Sequence, residues 1–288
     1  MTWHIALKLG RVSNLPTVWT NMLAAVVLSG GALADPRIVP LLLALSLFYV
    51  GGMYLNDAFD AEIDARERPE RPIPSGQVSR RAVFAAGFAM LGLGLLILVW
   101  IGSGGDTGFW PAAGGLGLAV AIVFYDWYHK ANPLSPVVMG LCRVLVYVTA
   151  GLCFALPLPA PLWIGAGLLL CYLIGLTYVA KQENLGEVKN LWPLLFLAAP
   201  VIAGLVYAVE RPVTALFWLV FVIWMAVALW FLRRRKPGDI PRAVVSLIAG
   251  ISLLDALLIA ASGAPGLAIL AVAGFGLTLL LQRVVSGT

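Results

Sequence analysis

Followed for hydrophobic and polar positions, the chain is a succession of apolar runs parted by short polar breaks. Ten runs can be marked, at 14–33, 38–58, 82–103, 109–126, 134–155, 160–180, 191–209, 213–232, 243–262 and 264–282. A helix rises 1.5 Å per residue, so about 20 apolar residues cross the ~30 Å hydrocarbon core of a bilayer. The pattern therefore predicts an all-α, polytopic transmembrane bundle of nine or ten helices, with residues 1–288 forming a single transmembrane domain. The last two runs are the least clearly parted, since only Ser262-Gly263-Ala264-Pro265 separates them. The first apolar run is of full spanning length and the segment before it is mixed, so it reads as a retained helix and not as a cleaved signal.

Composition agrees, with 61% hydrophobic and 11% charged residues. The charges decide orientation. With the N-terminus cytoplasmic, all but three of the 19 Lys and Arg residues fall in inner segments; Arg37 and Arg211 lie outside, and Arg143 lies within a span. That asymmetry follows the positive-inside rule, so the basic balance is a topology signal and not a nucleic-acid footprint. Membrane lipid is the expected surrounding. The cysteines Cys142, Cys153 and Cys171 all fall inside or at the end of spans, where packed thiols are expected before disulfides or metal ligands.

Chemistry is expected on the inner side, where the segment from Phe59 to Arg81 carries most charge. In the run Tyr54-Leu-Asn-Asp-Ala-Phe-Asp-Ala-Glu-Ile-Asp64, helical spacing puts Asn56, Asp57, Asp60 and Asp64 at about 0, 100, 40 and 80 degrees, on one face. Three carboxylates on one face at a membrane boundary repel one another and call for neutralisation. Magnesium suits them, because it takes oxygen ligands and bridges one or two carboxylates to phosphate oxygens. Proline then ends the helix, and Arg68 and Arg71 follow, with guanidinium groups that match phosphate geometry. The bland alternative is a solvated loop whose arginines meet anionic lipid.

These residues resemble the UbiA superfamily of intramembrane prenyltransferases, through Asn56-Asp57-x-x-Asp60-x-x-x-Asp64 followed by Arg71-Pro72-Ile73-Pro74-Ser75-Gly76. The resemblance implies a helical bundle around a central cavity that opens near the cytoplasmic side. In such a bundle Asp57, Asp60 and Asp64 bind Mg2+ with a prenyl diphosphate, and basic residues hold the diphosphate. The stretch Tyr125-Asp126-Trp127-Tyr128-His129-Lys130 resembles the family's aromatic-then-Lys segment, which gives Lys130 to the diphosphate. Arg11 and Asn21 resemble positions at the start of the first helix, with Asn21 lining the cavity and Asn56 beside the motif as a substrate contact.

The second motif departs from the pattern. Members carry Tyr-x-x-Lys and then aspartates after the sixth helix; here Tyr178 and Lys181 match, but Gln182, Glu183, Asn184 and Glu187 follow. Glu183 and Glu187, one helical turn apart, are candidate ligands for a second magnesium. The departure leaves open a different metal count, a different acceptor or a lost transferase activity. Arg143, near mid-span, is expected to face a cavity or partner, serving the pyrophosphate or pairing with a buried carboxylate. Asp255, inside the ninth run, has no evident role, and His4 and His129 read as interfacial residues. Tyr54, Tyr125 and Tyr172 are candidate faces for a carbocation.

The expected activity is Mg-dependent transfer of an isoprenyl group from a prenyl diphosphate to a lipophilic acceptor. A lipid-binding or transport protein on the same scaffold is an alternative, for which Pro193 and Pro200 would mark a broken helix. A polyprenyl-phosphate glycosyl or phosphoribosyl transferase is the other.

Overall fold

A computed structural model describes residues 2–130, 132–181 and 192–285. Every predicted run falls on a helix, and no strand occurs among the described residues. The order is α1 (Trp3–Leu9), α2 (Leu15–Leu28), α3 (Ile38–Phe59), α4 (Ala61–Glu67), α5 (Arg80–Ser103), α6 (Trp110–Tyr128), α7 (Ser135–Leu152), α8 (Ala160–Lys181), α9 (Ala198–Glu210), α10 (Pro212–Arg234), α11 (Asp239–Ala261) and α12 (Pro265–Leu281). Seven segments among the described residues are long and apolar enough to cross a membrane, which makes this a multi-pass membrane protein. The first and last apolar helices are shorter.

Local chemistry sets the boundaries. Proline occupies the first turn of α2, α6, α7, α10 and α12, where its missing N–H costs nothing. The seventh run is broken, as its two prolines suggested: a 3-10 stretch over Trp192–Leu197 contains Pro193 and gives way to α9, with Pro200 in its first turn. The ninth and tenth runs are two separate helices. The Gln282 side chain, just past α12, donates to Asn14 Oδ1 at 3.1 Å just before α2, so α12 ends where α2 begins. The first and last apolar helices thus meet at one end of the bundle.

The interior is built on α2 and α11. Helix α11 packs against α2, α8, α10 and α12, and α2 packs against α3 and α7 as well. The apolar stretch of α11 is 89% buried against 22% for α10, so α11 is the central helix and α10 a wall facing lipid. Outer helices accordingly expose Leu96, Trp100, Ile202 and Val209. In hydrocarbon such residues carry no penalty, and helix association rests on close packing and polar contacts. The α3–α5 pair shows the packing: a Cβ placed on Gly51 would stand 2.9 Å from the Gly87 carbonyl oxygen. This approach sets α5 where Arg80 Nε can donate to the Ala58 carbonyl at 2.8 Å, while its Nη1 reaches Glu62, tying α4 in place.

Candidate active site

A cavity of about 500 Å³ opens among α3, α4, α6, α7, α8 and α11. Its wall changes character with depth. Asp60, Asp64, Arg68, Arg71, Lys130 and Lys181 line the mouth, whereas Leu45, Leu118, Val146, Leu173 and Ile251 line the interior. A second hollow of about 620 Å³ lies between α5 and α6; its lining, which includes Phe59 and Trp127, is apolar and holds no charged side chain.

The mouth is built by a break in the chain. Asp60 ends α3 and starts α4, yet its N–H still bonds the Asn56 carbonyl at 3.0 Å and its own carbonyl receives the Asp64 N–H at 2.8 Å. The acidic run therefore keeps nearly helical spacing across the joint. After α4, the segment Arg71–Gly76 folds into a tight turn: Ser75 N–H bonds the Arg71 carbonyl and Gly76 N–H the Ile73 carbonyl. Gly76 has φ +76°, a left-handed conformation that favours glycine. The turn carries Arg71 back over the motif, where Nη1 donates to Asp64 Oδ2 at 2.8 Å and Asp57 Oδ1 at 3.2 Å.

Each motif carboxylate is thus paired with a cation. Asp57 also accepts from Arg11 Nη2 at 2.9 Å, and Arg11 reaches Asn56 Oδ1 at 3.2 Å. Asp60 lies 3.4 Å from His129 Nε2 and 3.8 Å from Lys130 Nζ. Burial pushes the Asp64 carboxyl above its ordinary range, and the Arg71 guanidinium opposes that push. Across the mouth, Lys181 Nζ donates to Ser135 Oγ at 2.8 Å and to the Asn132 carbonyl at 3.0 Å.

A further carboxylate comes from α6. Asp126 is 4% exposed; its Oδ1 accepts from Asn56 Nδ2 at 3.1 Å, and its Oδ2 has no hydrogen-bond partner, although the residue lines the cavity. Asp126, Glu67, His129 and Tyr49 all line the wall, and none was proposed as a site residue from the sequence. No three Asp, Glu, His or Cys side chains among the described residues converge as a ready-made metal cage. The donors present are still hard oxygens, with one buried carboxylate oxygen unspent. They fit an ion that takes one or two carboxylates and completes its shell with phosphate oxygens and water.

Of the other expected residues, Asn56, Asp60, Asp64, Arg68, Arg71, Lys130, Arg143 and Lys181 meet on this cavity. Asp57 lies behind it, held by Arg11 and Arg71. Asn21 is fully buried between Arg143 and Asp255, one layer back from the wall. Tyr178 packs against the core, outside the lining. Tyr54 hydrogen-bonds the Ala6 carbonyl under α1, and Tyr172 bonds the Leu247 carbonyl in the core, so only Tyr125 of the three aromatic candidates faces the cavity. His129, read as interfacial, stands against Asp60 and stacks on Tyr125. Glu183 and Glu187 lie outside the described residues.

The model of the UbiA prenyltransferase family matches residues 16–254, which takes in the acidic run, the arginine turn and the central helices. The chain belongs to the UbiA prenyltransferase family. Among relatives of this UbiA chain, digeranylgeranylglyceryl phosphate synthase of Methanopyrus kandleri is 32% identical over 145 residues, 50% of this chain and 46% of that protein. Protoheme IX farnesyltransferase of Paracoccus denitrificans is 37% identical over 91 residues, covering 30% and 28%. The matched stretches thus span less than half the length of these relatives. A solved structure concerned with digeranylgeranylglyceryl phosphate synthase superposes with a TM-score of 0.64 at 17% identity, covering 90% of this chain and 97% of that one, so the UbiA helical fold extends over nearly all of it.

Proposed function

We propose that this UbiA-family chain transfers an isoprenyl group from a prenyl diphosphate, bound with magnesium, to a lipophilic acceptor held in the same cavity. The observation that carries the reading is the cavity's polarity: a mouth of paired carboxylates and cations opening on an apolar interior. A diphosphate with a long hydrocarbon tail matches both halves. Magnesium would sit against Asp60 and Asp64, with Asp57 or Asp126 in support, and would neutralise the diphosphate's charge. Arg71 and Arg68 on one side, and Lys130 and Lys181 on the other, receive the negative charge that grows on the pyrophosphate as the C1–O bond breaks. The departing pyrophosphate keeps the electron pair. The allylic carbon is left cationic between apolar walls that keep water out, where Tyr125 and Tyr49 of the lining would stabilise it until the acceptor's nucleophile bonds C1 and gives up its proton to pyrophosphate or water at the mouth.

The whole chain acts as one domain in this reading, with the mouth at the cytoplasmic face, as the inner-side excess of Lys and Arg supports. The test is magnesium-dependent pyrophosphate release by detergent-purified protein. Farnesyl, geranylgeranyl and longer diphosphates are scanned with a membrane-lipid extract, beside Asp60→Asn. Extract-dependent release that disappears in Asp60→Asn is the expected result. Donor binding without release would favour a binding or transport role, and a requirement for an activated sugar would favour glycosyl or phosphoribosyl transfer.

A further inference from the structure

Below the mouth, Arg143 also faces the cavity, and like Lys181 it is held by neutral acceptors. Arg11, Arg71 and Lys130 each stand against a carboxylate. Arg143 gives Nη1 to Asn21 Oδ1 at 2.9 Å and Nη2 to Thr17 Oγ1 at 3.1 Å, both neutral acceptors, and lies 5.6 Å from the Tyr49 ring centroid. A guanidinium has five N–H donors, so these two bonds leave it with capacity to spare. No carboxylate lies within ion-pair distance of it among the described residues.

The nearest compensating charge is one amide away. Asp255 accepts from Thr20 at 2.6 Å, from Asn21 Nδ2 at 2.8 and 3.1 Å and from the Tyr147 hydroxyl. The carboxylate is saturated by neutral donors on α2 and α7. Because it claims the Asn21 NH2 group, the Asn21 carbonyl must turn to Arg143. Asp255 therefore fixes the guanidinium through Asn21 without reaching it. An intramembrane cation held rigid and left without a contacting anion is costly unless something in the cavity takes it up.

Depth separates this cation from the diphosphate cluster. Arg143 is eight residues along α7 from Ser135, which holds Lys181 at the mouth, a rise of about 12 Å, and its side chain leans back toward the mouth. Thr17 and Asn21 lie in the first two turns of α2. The guanidinium thus sits one to two turns below Lys181, and Val146, Leu176 and Ile248 also line the cavity.

We propose that Arg143 is a second anionic subsite, which binds the acidic group, carboxylate or phosphate, of the lipophilic acceptor, and that Asn21 and Asp255 are the residues that position it. This rests on the prenyl-transfer reading and narrows its acceptor to acidic lipophiles. With the acid anchored there, the acceptor's nucleophile projects toward the mouth, where C1 of the donor lies.

The test uses full-length protein in neutral detergent and three probes of matched chain: octyl phosphate, octanoate and 1-octanol, with binding followed by titration calorimetry. Wild type is expected to bind the two anions at least about tenfold tighter than the alcohol, as suits a charge-assisted pair in a water-poor site. Arg143→Gln should abolish that preference and Arg143→Lys should restore most of it. Magnesium-dependent binding of geranylgeranyl diphosphate should survive Arg143→Gln and be lost in Asp60→Asn, which keeps failure of the subsite distinct from failure of the transferase reading. An anion preference that persists in Arg143→Gln overturns the proposal. So does equal loss of diphosphate binding in that variant, which would assign Arg143 to the donor. Asp255→Asn should lower the phosphate-to-alcohol ratio in wild type and leave it unchanged in the Arg143→Gln background; equal effects in both would reduce Asp255 to a packing role.

Discussion

Arg71 answers two buried carboxylates at once, and removing it exposes the cost of holding them. In Arg71→Gln, Asp64, 2% exposed, loses its only hydrogen-bonded cation among the described residues, a change expected to cost about 3 kcal/mol. The loss should depend on pH in a definite direction. Burial already raises the Asp64 pKa in the wild type, against the pull of Arg71, so the folded state holds this proton more tightly than the unfolded state does. Its contribution is a penalty, absent below the ordinary carboxyl range and complete above the raised folded value. Without Arg71 the folded value rises further. Thermal melts of the variant in chelator should therefore fall well below wild type at pH 8 and approach it toward pH 4; a constant gap would show that Asp64 is not the group involved. At this scale the sequence was legible where residues stand in a run: Asp60, Asp64, Arg68 and Arg71 meet as spacing suggested. It was silent on Asp126, because a single Asp in an aromatic stretch acquires meaning only when α6 brings it against Asn56. Asp255 was inexplicable for the same reason, since its partners come from α2 and α7.

Helices in this bundle are placed by close contacts at few points, and the motif depends on them. A methyl at Gly51 meets the backbone of Gly87, which cannot move aside as a side chain would, so Gly51→Ala should force α3 and α5 apart. A destabilisation of about 1–3 kcal/mol is expected, as for other overpacked sites, together with a weakened Arg80 tie to Ala58 and Glu62. Amide exchange in α4 would report that second effect, and protection equal to wild type there would refute it. Gly76→Ala tests the arginine turn more gently. Nothing lies within 4 Å of the added methyl, so the cost is the left-handed backbone alone, about 1 kcal/mol. Because Arg71 opens that turn, diphosphate affinity should fall more than melting temperature; an unchanged affinity would mean that the turn does not set Arg71. The apolar runs announced nearly every element of this scaffold, because bilayer thickness imposes a length that can be read directly. The joint at Asp60 and the docking of α1 beneath Tyr54 were not legible, since neither alters hydropathy over a spanning window.

Taken as a whole, the molecule is a bundle with a polar end and an apolar interior joined by one cavity, and its depth should measure the donor. From Asp239, which opens α11, to Ile251 on the cavity wall is twelve residues, roughly 18 Å of helix. Along α3 the distance from Asp60 back to Leu45 is fifteen residues, roughly 22 Å. Two helices entering from the same end thus place Ile251 and Leu45 near the floor. An extended isoprenoid anchored by its diphosphate at the mouth would meet that floor with its far end, so a larger residue there should act as a stop. Ile251→Phe is expected to leave magnesium-dependent binding of the shortest accepted diphosphate within about twofold of wild type. Donors one or more isoprene units longer should lose at least about tenfold, near the 1.4 kcal/mol that a tenfold change represents. Titrating geranyl, farnesyl and geranylgeranyl diphosphates into both proteins reads this as a change in rank order, which a general loss of stability cannot mimic. If all donors weaken alike, the chain leaves the cavity sideways between helices; the apolar groove outside α5 and α6, which includes Phe88 and Phe124, would then be the place to block next.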